Sequence, residues 1–198
     1  MKRRHFLQSS AAAAAVISLP SSRAIAAAIA TMTEVAGDVN AVTGSGRQII
    51  LEQSALKELA GSLRGHLLLS GHEGYDVARR VLNPTIDRHP ALIIQPTGAS
   101  DIMNAVRFAR ERDMLVAVKC GGHSFSGKST CEGGMQIDLS SFRNARVDAE
   151  TQTAYVAGGS LLAALDHESM AQGLVTTAGT VSHTGVGGLT LGGGFGRL

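Results

Sequence analysis

The chain has 198 residues, a length suited to one domain or part of a larger one. Its net charge is +2 and it has no long Lys/Arg run, which excludes a broad nucleic-acid footprint. Glycine is high at 24 residues, and nine of these lie between Gly173 and Gly196, too dense for a packed helical core.

Residues 1–30 read as an address. Lys2, Arg3 and Arg4 open it, and Ser9 to Leu19 is an alanine-rich apolar core too short to span a membrane. Small residues at Ala24-Ile25-Ala26 and Ala26-Ala27-Ala28 each suit a signal peptidase. Arg3-Arg4-His5-Phe6-Leu7-Gln8 is similar to a twin-arginine signal. An ordinary secretory signal is the simpler alternative; Phe6-Leu7 after the arginine pair favours the twin-arginine route. The expected location is periplasmic or secreted, reached through the twin-arginine machinery, with no membrane span in the mature chain.

Thr31 to Arg47 shows no periodicity and reads as a loose leader; with the first helix it makes up segment 31–66. Apolar spacing predicts that helix over Ile50 to Leu63. His66 to Leu69 is a short strand candidate. Tyr75 to Leu82 is a short helix stopped by Asn83-Pro84. Alternation of strand and helix begins at Pro90. Ala91 to Gln95 is a strand. Asp101 to Arg112 is a helix with Ser100 as its cap and Ile102, Ala105, Val106 and Ala109 facing inward. Leu115 to Lys119 is a second buried strand, and Met135 to Leu139 a third. Ser140 to Asn144 is a turn, and Ala154 to Ala157 a strand. Ser160 to Gln172 is a helix ended by Gly173. Thr176 to Leu198 reads as short extended pieces. The pattern implies an α+β or α/β arrangement of small units.

Lys119 to Thr130 supports two incompatible functions. Gly122, Gly127, Lys128 and Ser129 match the nucleotide-binding pattern G-x-x-x-x-G-K-S. That pattern works only if a helix starts at its Lys-Ser, presenting N–H groups to phosphate. Here Gly133-Gly134 follows within the first turns and would abort a helix. The other reading places a glycine turn, Gly121-Gly122-His123-Ser124, after the strand. A second glycine loop, Gly179 to Gly188, could face it, and the two would clamp a dinucleotide through inward N–H groups.

The residues Gln95-Pro96-Thr97, Val118 to Ser124, Ile137-Asp138-Leu139-Ser140 and Gly179 to Gly196, in that order, resemble the vanillyl-alcohol-oxidase type of FAD-binding domain. This is the PCMH-type domain, and the likeness is to its berberine-bridge-enzyme-like group. The resemblance implies an FAD-binding domain over residues 67–198, made of two small α/β subdomains and truncated before a substrate domain. It implies FAD as cofactor, covalently attached through His123. Gly121, Gly122 and Ser124 would match the pyrophosphate loop, and Gly179, Thr180, Thr184, Gly185 and Gly188 the second flavin loop. Some members carry a second link through a cysteine where this chain has Val181, so one link at most is expected. A histidyl link would raise the flavin's reduction potential.

The function implied is an exported FAD-dependent oxidoreductase. It would take a small alcohol, sugar or amine and pass the electrons to oxygen or another acceptor. A catalytic base is not expected in this chain, because in the family it lies in the substrate domain or beyond. The isolated chain is therefore expected to be inactive; a non-catalytic flavin-binding fragment is the alternative, and a nucleotide binder the weaker one. His183 reads as a surface or hydrogen-bonding residue, His66, His72, His89 and His167 as structural, and Arg79 and Arg80 as a solvated helix face. Cys120 and Cys131 have no CxxC or zinc-finger company, so no metal is expected; a disulfide and two free thiols both stay open.

Overall fold

The computed structural model describes residues 34–196. The expected export signal, residues 31–33, Arg197 and Leu198 lie outside the described residues. Val39–Val42 (β1) and Gln48–Leu51 (β2) pair as an antiparallel hairpin, with Val39 opposite Leu51. Thr43 closes its turn, its Oγ1 accepting from Arg47 N at 3.0 Å. The stretch expected to be a loose leader therefore holds a strand. It went unseen because Ala41 is its one buried side chain, and the burial comes from long-range packing.

Gln53–Ser62 (α1) follows directly and buries Leu56 and Leu59. Ile50 and Leu51, expected at the start of this helix, belong to β2 instead. His66–Leu68 (β3), Leu92–Gln95 (β4), Val116–Lys119 (β5) and Met135–Asp138 (β6) form a mixed sheet in the order β3-β4-β6-β5. β3 runs antiparallel to β4; β4, β6 and β5 are mutually parallel. Both faces of the central strands are covered, which is why Leu92, Ile93 and Ile94 read as an unbroken apolar run. Leu67, Leu92 and Ile94 join the main core with Leu56 and Phe108. Leu68 and Ile93 point the other way, onto Tyr75 and Ala78 of Tyr75–Ala78 (α2).

Ala99–Glu111 (α3) links β4 to β5 and packs on α1. Its buried face is Asp101, Ala105, Phe108 and Ala109, so the expected inner face is rotated: Val106 is exposed. The cap position is Gly98 rather than Ser100, and no side chain caps it. Asp101 does a different job. Its carboxylate accepts from the N–H groups of Arg64 (3.0 Å), Gly65 (3.0 Å) and Thr97 (2.9 Å) and from Thr97 Oγ1 (3.2 Å). It thereby ties the approach to β3 to the end of β4. Burial alone would raise the Asp101 pKa, but these hydrogen bonds outweigh it and hold the group below its ordinary value.

Beyond the sheet, Leu139–Ser141 makes one 3-10 turn, capped by Asp138 through Ser140 N. Ala145–Asp148 (β7) and Thr153–Val156 (β8) form an outer hairpin with Arg146 over the ring of its cross-strand partner Tyr155. Leu162–Met170 (α4) packs against β7. Val186–Gly192 (α5) is helical where extended pieces were expected. Two glycines in its first turn hide it from propensity; tertiary contacts supply what propensity lacks, with Val186 N donating to Ser160 O at 2.8 Å. The result is an α+β fold. Among the described residues, no helix is long and apolar enough to cross a membrane.

Arg79 is not simply part of a solvated face. Its guanidinium joins Asp76, Asp87 and the Arg88 carbonyl, clamping α2 to the strand-bound segment after it.

Asp101→Asn is expected to cost about 2–3 kcal/mol, because a charged acceptor of several buried N–H groups is lost. The sign with pH follows from the depressed value: the contribution is complete above the unfolded pKa of about 3.9 and fades as pH falls through the lower folded value. Denaturant titrations of both proteins from pH 7 downward check this, and the gap between them should close in acid.

Candidate functional site

The site is built where β5 ends. Lys119 is its last residue, and Cys120 to Gly134 then runs to the parallel neighbour β6 without a helix. Beneath the loop lies a buried polar cluster. Lys119 Nζ donates to Ala78 O at 2.5 Å and stands 3.6 Å from Asp138 Oδ2. Gln136 Nε2 reaches the same Ala78 carbonyl at 2.7 Å, and Gln95 Nε2 reaches Asp138 Oδ2 at 3.2 Å. The ends of β4, β5 and β6 are thus cross-linked to α2 under the loop.

Gly121 and Gly122 carry the turn for two different reasons. Gly122 has φ 72°, a left-handed conformation that a side chain would strain, and its carbonyl accepts from Leu82 N at 2.8 Å. Gly121 faces backbone. A Cβ there would overlap Gly185 N, lie 2.8 Å from Gly185 Cα and 3.1 Å from His183 O. The reverse also holds: a Cβ on Gly185 would overlap Gly121 N and Cys120 Sγ. The two glycine loops therefore meet backbone to backbone.

The second loop is fixed from behind by α4. Leu162 N and Ala163 N, unpaired within their own helix, donate to Thr184 O (2.9 Å) and Ser182 O (2.8 Å). Thr184 N closes a turn onto Val181 O at 3.0 Å, and Leu161 bridges Gly185. Cys120 adds a strut: its thiol donates to Gly158 O at 2.6 Å. Cys120 and Cys131 are both free thiols, which resolves the open alternative. Burial pushes the Cys131 thiol up to about 11, so it stays protonated.

His123 is half-buried on the first loop. Its Nε2 is buried and has no hydrogen-bond partner. Its ring meets that of His183, with centroids 4.5 Å apart and planes tilted by 51°. Burial, and after it His183, hold the His123 pKa below the ordinary histidine value. A buried imidazole nitrogen without a partner is uncommon, and the lowered pKa favours the form that has a free lone pair.

The expected residues divide. Gly121, His123 and Gly185 come together at the loop junction, with Gly122 beside them. Ser124 lies one step further along, its carbonyl accepting from Gly127 N at 3.2 Å. Thr184 is held by α4, and Thr180 is exposed. Gly179 answers to packing, since a Cβ there would press on Leu162 and Leu189 at 3.0 and 3.1 Å. Gly188 lies inside α5 with open space beside it. His183 was read as a surface or hydrogen-bonding residue; it is exposed, and its ring contact with His123 had no sequence signal.

The nucleotide pattern fails on geometry. No helix follows Lys128, which is exposed. Gly127 N and Thr130 N donate within the loop, and the Gly127 and Thr130 carbonyls point at Arg88 Nη1, at 3.0 and 3.1 Å. This segment already offers its acceptors to a cation of its own, the reverse of a phosphate cradle. Among the described residues, no group of three or more His, Cys, Asp or Glu could hold a metal ion.

A family model described as an FAD binding domain matches residues 90–198. An FAD-linked oxidoreductase of Dictyostelium discoideum is 41% identical over 145 residues, covering 72% of this chain and 31% of the relative. The crystal structure of 6-hydroxy-D-nicotine oxidase from Arthrobacter nicotinovorans superposes with a TM-score of 0.66 at 28% identity, covering 68% of this chain and 30% of that one. Phl p 4, a grass pollen allergen with glucose dehydrogenase activity, gives 0.61 at 31% identity, covering 66% and 29%. The chain spans about 30% of the length of these proteins.

Gly121→Ala should part the loops, because backbone rather than a flexible side chain is in the way. A loss of about 2–4 kcal/mol is expected from the forced shift. Gly188→Ala meets nothing and sits in a helix, so it should be neutral or stabilising by up to about 1 kcal/mol. Thermal melts of the two variants, run in parallel, check the contrast.

Proposed function

The chain belongs to the FAD-binding domain family of FAD-linked oxidoreductases, and on that footing we propose that the whole protein is an exported oxidoreductase whose flavin is joined to His123. One observation carries the reading. His123 Nε2 is a buried polar atom without a partner, on the loop that Gly121 packs against Gly185. Buried polar groups are almost always hydrogen-bonded, and a bound flavin would give this one its missing partner.

Bound here, FAD would supply a two-electron acceptor for the substrate's hydride, with oxygen or another acceptor as the final oxidant. The chain's own part is to hold it. His123 would anchor the ring system; Gly121, Gly122 and Ser124 on the first loop and Gly179, Thr180, Thr184, Gly185 and Gly188 on the second would contact the flavin from the surface of the joined loops, since Gly121 and Gly185 leave no space between them. The polar cluster around Lys119 and Asp138 keeps the first loop from sinking toward the sheet. Val181 stands where a second link would need a thiol, so attachment is single. Residues 67–198 form the flavin-holding domain in this reading.

The substrate is a small alcohol, sugar or amine. The named relatives support this breadth, one being a hydroxynicotine oxidase and another having glucose dehydrogenase activity. No residue of this chain is assigned as a catalytic acid or base, and the isolated chain would bind flavin without turnover. Arg3-Arg4 with Phe6-Leu7 supports export by the twin-arginine route to the periplasm or beyond.

Denaturing the whole protein in acid should leave flavin fluorescence with the polypeptide, and His123→Ala should abolish that retained signal while the protein still folds. Flavin released freely from the unsubstituted protein would remove the covalent link. For export, replacing Arg3 and Arg4 together by Lys should trap the precursor in the cytoplasm, read by fractionation; undiminished export would leave an ordinary secretory signal as the better account.

A further inference from the structure

The His123–His183 contact is not an accident of two mobile side chains. His183 lies between Ser182 and Thr184, whose carbonyls accept from Ala163 N and Leu162 N at the start of α4. The backbone on both sides of His183 is therefore pinned to a helix. On the other loop, His123 follows Gly121 and Gly122, and Gly121 is locked against Gly185. The two rings meet at 4.5 Å because both backbones are held, and the separation lies within the range of tilted aromatic pairs.

A histidine that must present one nitrogen to a reaction is usually oriented by a hydrogen bond from its other nitrogen to a carboxylate or carbonyl. At His123, Nε2 has no such partner, and the contact recorded for the ring is His183. We propose that His183 is a positioning residue for flavin attachment, its ring holding the His123 imidazole in the orientation that attachment needs. This rests on the reading of His123 as the attachment residue. Attachment also needs the imidazole uncharged.

The chemistry explains both requirements. Attachment forms one N–C bond from the His123 imidazole to the flavin's 8α-methyl carbon, and breaks one C–H bond there and the N–H bond of the imidazole. The two hydrogens, as two electrons and two protons, reside on the flavin until dioxygen removes them as hydrogen peroxide. A protonated imidazole has no lone pair to form the bond, and a freely rotating one seldom presents it. Burial, with His183 second, lowers the His123 pKa and so favours the uncharged form. The other titratable groups nearby do not take that place. Lys119 lies beneath Gly122 and donates to Ala78 O, Cys120 donates to Gly158 O, and Arg80 presents its backbone carbonyl toward Gly122.

The test uses the whole protein made without bound flavin and then incubated aerobically with FAD. Acid-stable fluorescence is followed with time at pH 6 and pH 8, and reversible FAD affinity is measured separately. His183→Ala should slow attachment by about two- to tenfold at pH 8, the rate equivalent of one aromatic pair. The factor should be larger at pH 6, because an uncovered His123 titrates nearer its ordinary value and is more often protonated there. His183→Phe, which keeps a ring in place, should recover most of the rate. Should the alanine variant fail to fold, His183→Gln serves the same comparison. An unchanged rate in His183→Ala at both pH values would overturn the proposal and leave His123 attachment standing. So would an equal, pH-independent loss in the alanine and phenylalanine variants. Absence of acid-stable flavin in the unsubstituted protein would remove the attachment reading and this proposal with it.

Discussion

The close approach of Gly121 to Gly185 is the constraint on which the rest of the site depends. Each glycine occupies space that a Cβ on the other would need, so the two loops can meet only if both positions lack a side chain. That meeting sets where His123 sits, brings His183 to it, and places the Cys120 thiol on the Gly158 carbonyl. Two segments more than fifty residues apart become one surface. A flavin needs such a surface, because its pyrophosphate and its ring system lie far apart and must be held by different stretches of chain.

The contact would mean little if either loop could drift. The first is anchored by Lys119 and Gln136, which both donate to the Ala78 carbonyl, and by Asp138, which faces Lys119 and accepts from Gln95. Burying a lysine and an aspartate is costly in itself, and such a pair contributes more to geometry than to stability. The second loop is anchored by the open amides of α4, which are satisfied by loop carbonyls. Anion binding at that helix start is thereby unavailable, and the N–H groups have gone to architecture instead.

The match of Gly122, Gly127, Lys128 and Ser129 to a nucleotide-binding pattern shows what a motif leaves out. The pattern specifies letters, whereas phosphate binding depends on the direction of N–H groups. In this chain Arg88 takes the Gly127 and Thr130 carbonyls, and the amides of the same residues turn inward. A resident cation organises the loop, and no helix continues it. His123, the proposed attachment residue, is a filler in that pattern.

Much of the sheet was legible from residue order alone. Leu92 to Ile94 and Val116 to Lys119 are apolar or β-branched runs of strand length, and the spacing of α3 is helical. The glycine loops and the flavin family were legible too, because glycines at fixed offsets are a backbone requirement that survives in one dimension. What the sequence left hidden depended on partners distant in the chain. β1 exists through its pairing with β2, α5 through the Ser160 carbonyl and its neighbours, and the inner face of α3 through Asp101's bonds to Arg64 and Gly65. The junction of Gly121 with Gly185, and with it the contact of His123 with His183, was decided only by the tertiary structure. Local sequence states which backbone may come close; only the folded chain settles what it comes close to.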